Sequence, residues 1–366
     1  MDNEEFSELE EIETSELPSV DPVKVLLNMK DETSKGVLLN CVTMFMSSNI
    51  PLMILNQNLN VVYISEPLRT MLGGMYKDLT LPFTTLFARA FTTELMKEFY
   101  EAIHNPDEKF SWKGTIQHKS NTMVGLYTKI TAIPVLVKNN TPTGYLIIFE
   151  DITAEKKKTL KSIYKSILEA SRLKDNETGA HNERVNHYAK CLALKLKETG
   201  KYPQIDPDFI NDIGFLAGMH DVGKIGTPDE ILKKKASLTE WEWSVMREHT
   251  INGAFILSNY PNEMAKEIAL SHHEHWDGSG YPYHLEGLMI PLAARIVTVA
   301  DVYDALRMKR NYKPGYSHEE TCNIILSGRG TQFDPDIIDV FKDIMDDFDK
   351  IWNELKDKEQ FGFIIP

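Results

Sequence analysis

Eight of the eleven histidines in this 366-residue chain fall between residues 176 and 301, about a third of its length. Several occupy positions where a helix should be burying an apolar side chain. His220 continues the stripe Ile210, Ile213, Ala217; His249 is in register with Met246 and Gly253; His272 follows Ile268; Asp301 shares a face with Ala294 and Val297. A lone inward histidine is most often a core residue with a hydrogen-bond partner. An inward His followed by an inward Asp, repeated on several helices, is different. Each buried ionisable group costs several kcal/mol unless it is paired or bound to a metal. A metal site gathered from distant helices is the simplest explanation.

The length is too great for one ordinary domain, so two or three are expected. The formal charge is −14, from 40 Lys and Arg against 54 Asp and Glu. That argues against a nucleic-acid polymer or an anionic membrane as partner, since either selects a basic surface. Eight acids and no Lys or Arg lie in the first twenty residues, so residues 1–32 are expected to be a solvated, disordered tail. Cys41, Cys191 and Cys322 are scattered, which excludes a disulfide framework or a CxxC zinc module and fits a reducing cytoplasm. No basic stretch followed by an apolar core opens the chain, so no signal peptide is read. The uncharged run from Gly36 to Ser65 is interrupted by Asn40, Thr43, Ser47 and Pro51 before about 20 apolar residues accumulate, so no membrane span is expected.

Residues 33–153 read as a mixed α/β domain. Leu52–Leu55 and Val61–Ile64 are short β-type runs flanking a turn composition. A helical middle follows from Phe83 to Ala102, and then Met123–Pro134 and Gly144–Phe149 read as strands. Met44, Met46, Met53, Phe83 and Phe87 are assigned to the core. Residues 154–174 are densely charged, with Leu160, Ile163, Ile167 and Ala170 at 3-4-3 spacing. This is a connector helix, either coiled-coil-like or docked on a neighbouring domain. Residues 175–352 form an all-α domain and residues 353–366 a C-terminal tail. Thr239 to Glu242 is a capping box opening a helix that runs through Trp243, Met246, Gly253 and Leu257. Asp334-Pro335 is an N-cap followed by proline at the first helical position.

His220-Asp221-Val-Gly-Lys224-Ile-Gly-Thr-Pro-Asp229 resembles the signature of the HD hydrolase superfamily. His272-His273-Glu-His-Trp-Asp277-Gly278-Ser-Gly280-Tyr281-Pro282 resembles the second signature of its HD-GYP branch. The resemblance also covers Glu177 to Val185, Met246-Arg-Glu-His249, Ala300-Asp301-Val-Tyr-Asp304-Ala-Leu306 and Gln332 to Pro335, in that family's order. Residues 33–153 resemble a PAS sensor domain. The implied fold is multidomain: an α/β PAS-like domain, a helical linker and an all-α HD-GYP domain.

The resemblance implies eight metal ligands: Glu177, His181, His220, Asp221, His249, His272, His273 and Asp301, with Asp221 bridging. Imidazoles and carboxylates without thiolate suit two or three divalent ions, iron or manganese first and zinc as an option. Glu177 accompanies a third ion in this family; the plainer reading is a carboxylate near a helix terminus. Asp221 and Lys224 are the catalytic candidates. Lys224 is placed to donate to a phosphoryl oxygen, or else compensates a helix C-terminus. Substrate contacts carried over are Arg184, Asp277, Gly280, Tyr281 and Asp304. Arg310 and Lys313, in the basic run Arg307, Lys309, Arg310, Lys313, match positions that hold phosphates. Arg307-Met308 replaces the family's usual Thr-Ser, Asn311 its proline and His275 its arginine, which bears on substrate preference.

The implied activity is hydrolysis of cyclic di-GMP by a metal-bridged hydroxide, giving linear pGpG, and GMP if the second bond is also cut. The PAS-like domain would regulate it in a cytoplasmic homodimer formed through that domain and the connector. Two alternatives stand beside it: hydrolysis of another cyclic dinucleotide, and a signalling module that binds the dinucleotide or a partner without cleaving.

Overall fold

The computed structural model describes residues 30–72, 82–87, 90–104, 111–119, 125–138, 141–174, 179–258, 262–308 and 315–356. The acidic stretch 1–29 lies outside these. The chain divides into two compact units, Met1–Thr159 and Leu160–Pro366.

In the first unit, Asp31 accepts from the Thr33 and Ser34 amides and caps α1 (Glu32–Phe45), so residues 31 and 32 of the expected tail belong to a capped helix. Then come β1 (Leu52–Asn56), β2 (Val61–Ile64), α2 (Glu66–Met71), α3 (Phe83–Leu86), α4 (Thr93–His104), β3 (Trp112–Lys119), β4 (Gly125–Lys138) and β5 (Thr141–Asp151). The sheet order is β2-β1-β5-β4-β3, with every neighbouring pair antiparallel. Leu52 to Leu55 is apolar throughout because β1 is covered on both faces. Met53 and Leu55 join Phe83, Phe87, Phe99, Trp112 and Phe149 on one side. Leu52 and Ile54 meet Leu38 and Val42 of α1 on the other. Two core assignments fail: Met44 is 76 % and Met46 62 % exposed. Met44 is off the Leu38/Val42 stripe and Met46 lies past the helix end. β3 was not legible in the sequence. Its buried residues Trp112 and Ile116 are separated by Gly114, so the apolar alternation is broken.

The boundary between the units falls inside α5 (Thr153–Arg172), whose Tyr164 is buried against Phe215 of the second unit. Next are α6 (Gly179–Glu198), α7 (Pro207–Leu216), α8 (Asp229–Leu232), α9 (Glu240–Arg247), α10 (His249–Ile256), α11 (Glu263–Ser271), α12 (Leu292–Arg307), α13 (His318–Ser327), α14 (Pro335–Asp343) and α15 (Met345–Leu355). α6 buries Val185, Ala189, Leu192 and Leu196 in one cluster with Ile213, Ile268, Ile296, Tyr303 and Phe348. The Thr239–Glu242 capping box and the Asp334 cap are both present.

Three boundaries differ from expectation. α7 stops at Leu216, and the chain reaches His220 through a 3-10 turn, Ala217–Met219, with a second at Val222–Gly226. The helix expected from Thr239 to Leu257 breaks at Glu248 into α9 and α10. α15 continues to Leu355, so the first residues of the expected C-terminal tail are helical. The 3-10 segment after Asp221 crosses α10 so closely that a Cβ on Gly223 would lie 1.8 Å from the His249 carbonyl oxygen. Glycine there is what lets Asp221 and His249 meet. No helix among the described residues is long and apolar enough to cross a membrane.

Candidate metal centre

Five segments converge in the second unit. α6 supplies His181, the turn after α7 supplies His220 and Asp221, α10 opens with His249, the end of α11 supplies His272 and His273, and α12 supplies Asp301. Their ligand atoms form two groups, each within 4.8 Å: Asp221, His249, His272 and His273 in one, His181, His220 and Asp301 in the other. Asp221 faces both. Its Oδ2 lies 3.2 Å from His220 Nε2, and its Oδ1 lies 3.2 Å from His249 Nε2 and 3.7 Å from His272 Nε2. Asp301 Oδ1 lies 3.6 Å from Nε2 of both His181 and His220.

The outward ring nitrogens of His181, His220, His249 and His272 explain which way these four imidazoles point. Nδ1–H of His220 donates to the Ala217 carbonyl (2.9 Å), that of His249 to Met246 (2.7 Å), and that of His272 to Ile268 and Ala269 (3.1 and 3.2 Å). His181 Nδ1–H donates to Asp304 Oδ2 at 2.7 Å. A carbonyl oxygen only accepts, so these partners fix the proton on Nδ1 and leave the Nε2 lone pair inward. Nε2 of His249 and His272 and Oδ1 of Asp221 are buried without a well-aligned hydrogen bond. Lone pairs aimed at a common point, in a closed shell without thiolate, fit divalent cations and are costly without them.

Burial would raise the Asp221 carboxyl, but Lys224 and His220 outweigh it and hold it well below the usual carboxylate range. Lys224 Nζ is 2.8 Å from Asp221 Oδ2. Desolvation pushes His272 below the ordinary imidazole value and His273 well below it, so both rings favour the neutral, ligating form. His181 goes the other way: burial opposes its protonation, but the Asp304 hydrogen bond and charge prevail.

Several of the expected substrate-contact residues make contacts within the protein. Arg184 and Asp304 are fully buried; Arg184 Nε and Nη2 donate to Asp304 at 2.7 and 2.9 Å, and its guanidinium lies 4.7 Å from the Trp352 ring. Asp304 thereby holds both Arg184 and His181. Gly280 is also structural: a Cβ there would lie 2.3 Å from His275 N and 2.5 Å from His273 O. Asp277 is exposed and accepts from the Ser279 amide and hydroxyl, shaping the turn. Arg307 leaves the expected basic run, since it pairs with Asp349 at 2.8 Å and packs on Trp352. Tyr281 does line the site, stacked on His273 with ring centroids 4.7 Å apart. Glu177, Lys309, Arg310 and Lys313 lie outside the described residues.

Glu274 is a further functional residue that helical spacing does not mark. Its buried carboxylate accepts from the Tyr283 and Leu285 amides at 2.7 and 3.1 Å, clamping the loop beyond Tyr281. An acid directly after two inward histidines was the available signal.

A PAS domain family model matches residues 49–154 and an HD domain family model matches residues 169–337. A cyclic di-GMP phosphodiesterase of Vibrio cholerae serotype O1 is 43 % identical over 193 residues, which cover 50 % of this chain and 39 % of that protein. A cyclic di-GMP phosphodiesterase of Thermotoga maritima is 38 % identical over 192 residues, covering 52 % and 50 %. A 3′3′-cGAMP-specific phosphodiesterase of Vibrio cholerae is 36 % identical over 218 residues, covering 58 % and 40 %. The chain thus spans half or less of the length of these relatives. An HD domain implies divalent metal binding, which agrees with the two ligand groups. The chain thus joins a PAS domain to an HD domain.

Proposed function

We propose that this chain is a metal-dependent phosphodiesterase that hydrolyses cyclic di-GMP to linear pGpG, with the PAS domain as its regulatory input. The observation that carries the reading is the convergence of imidazole Nε2 atoms on Asp221 and Asp301 while their Nδ1 atoms are tied outward. The names of the relatives supply the substrate class.

His181, His220 and Asp301 would hold one ion, and His249, His272 and His273 another, with Asp221 between them; Glu177 is proposed for a third. Divalent ions there supply neutralisation of the phosphodiester charge and activation of water near neutral pH. Iron or manganese suits this oxygen and imidazole set, with zinc as an option. Lys224, anchored on Asp221, donates to a phosphoryl oxygen as negative charge builds on it. The loop held by Glu274 and Gly280 presents Tyr281 as a wall beside His273. Water adds to phosphorus, the 3′-oxygen leaves with a proton, and a 5′-phosphate remains. The proposed setting is the cytoplasm, as a homodimer through the PAS domain and the connector α5.

Product chromatography tests this. Full chain purified anaerobically and loaded with iron, manganese or zinc should convert cyclic di-GMP to pGpG, and the H220A/D221A variant should not. Equal hydrolysis by that variant would refute the site. Faster turnover of 3′3′-cGAMP than of cyclic di-GMP would move the chain to the other substrate class represented among its relatives.

A further inference from the structure

We propose that Arg247 binds the second, uncleaved phosphodiester of the substrate. This deepens the cyclic dinucleotide reading above and rests on it. In an acidic chain the arginines of the second unit are mostly occupied. Among the described residues, Arg172 is held by Glu169, Arg184 by Asp304, Arg295 by Asp334, Arg307 by Asp349 and Arg329 by Asp339. Lys224 is held by Asp221. Arg247 is the exception: its side chain is exposed, and no acceptor among the described residues takes a hydrogen bond from it.

Its position is equally specific. Arg247 ends α9, two residues before His249. Its guanidinium lies over the Tyr281 ring, 5.2 Å from the centroid, and that ring is stacked on His273. The two residues lie on either side of the break at Glu248, with His249 buried and Arg247 exposed. Contact with the Tyr281 face orients the guanidinium while leaving its planar donors available. A cyclic dinucleotide carries two phosphodiesters. When one lies at the metal ligands, the other must be met by donors a short way off, and a guanidinium matches two phosphate oxygens at once.

Steady-state kinetics of the metal-loaded full chain tests the assignment, using wild type, R247M and R247K on cyclic di-GMP and on bis(p-nitrophenyl) phosphate, which has one phosphodiester. R247M should raise KM for cyclic di-GMP about tenfold or more, the loss of one charge-assisted hydrogen bond, with kcat changed less than about threefold. R247K should fall between, and the loss on bis(p-nitrophenyl) phosphate should be smaller. The salt dependence of KM should be steeper in wild type than in R247M. An unchanged KM would overturn the inference and leave Arg247 as charge compensation at the end of α9. A raised KM with an unchanged salt slope would also overturn it, placing the guanidinium on a guanine edge. Wild type that cleaves the nitrophenyl ester but neither binds nor cleaves cyclic di-GMP would instead sink the substrate reading, and this inference with it.

Discussion

Replacing Asp304 by Asn separates structural from metal-holding roles at the heart of the site. Asp304 accepts three hydrogen bonds, from His181 Nδ1 at 2.7 Å and from Arg184 Nε and Nη2 at 2.7 and 2.9 Å. The Arg184 and Asp304 side chains are both fully buried, so solvent screening gives no discount. Burial alone would raise the Asp304 carboxyl, yet the bonds from His181 and Arg184 hold it below its ordinary value. Asn keeps the volume but offers one acceptor oxygen, turns an NH2 toward donors and leaves the Arg184 charge without a counter-ion. Breaking a buried pair in this way costs about 3–5 kcal/mol. Loss of the orienting acceptor on a ligating histidine weakens metal affinity by roughly 10–100-fold. Urea unfolding of the metal-free protein reads the first effect and metal titration the second. The double variant R184M/D304L removes both charges, so it should recover much of the stability but not the affinity, because His181 still lacks its acceptor. A D304N protein within about 1 kcal/mol of wild type, with unchanged affinity, would refute the reasoning.

Lys224→Ala should lower kcat about 100-fold or more with metal content intact, as for loss of a donor to developing charge; equal rates would confine Lys224 to neutralising Asp221. Gly280→Ala should abolish turnover, because its Cβ meets the backbone of residues 273–275, which cannot yield without moving His273 and Tyr281; wild-type kinetics would contradict that packing. Glu177→Ala should reduce elemental metal content by about one ion per chain on the proposed three-ion site, and no loss would remove Glu177 from it. On acidification the His181 group should release metal first. Its imidazole is raised and takes a proton at higher pH than His272 and His273, which are lowered. A single-step release curve would argue against two separate groups.

Much of the site was legible because helical periodicity reports burial, and buried ionisable groups demand an explanation. His220, His249, His272 and Asp301 were each read as inward from neighbours three or four residues away, and their ligand atoms do gather. What was not legible depends on partners distant in sequence. Arg184 and Asp304 are 120 residues apart. Nothing local says that they neutralise each other, and their place among the substrate contacts came from the family resemblance alone. The break at Glu248 has no proline, glycine or capping side chain to mark it. β3 hid because Gly114 occupies the position between its two buried residues. In the PAS domain, β1 was easy to read because covering both faces of a strand leaves an unbroken apolar run, from Leu52 to Leu55.

The most direct test of the central claim is elemental analysis of the full chain purified without oxygen or chelator, beside Asp221→Ala. Two ligand groups sharing Asp221 predict at least two equivalents of transition metal in the wild type and a clear loss in the variant. A folded wild type that stays metal-free after incubation with iron, manganese and zinc would contradict the account.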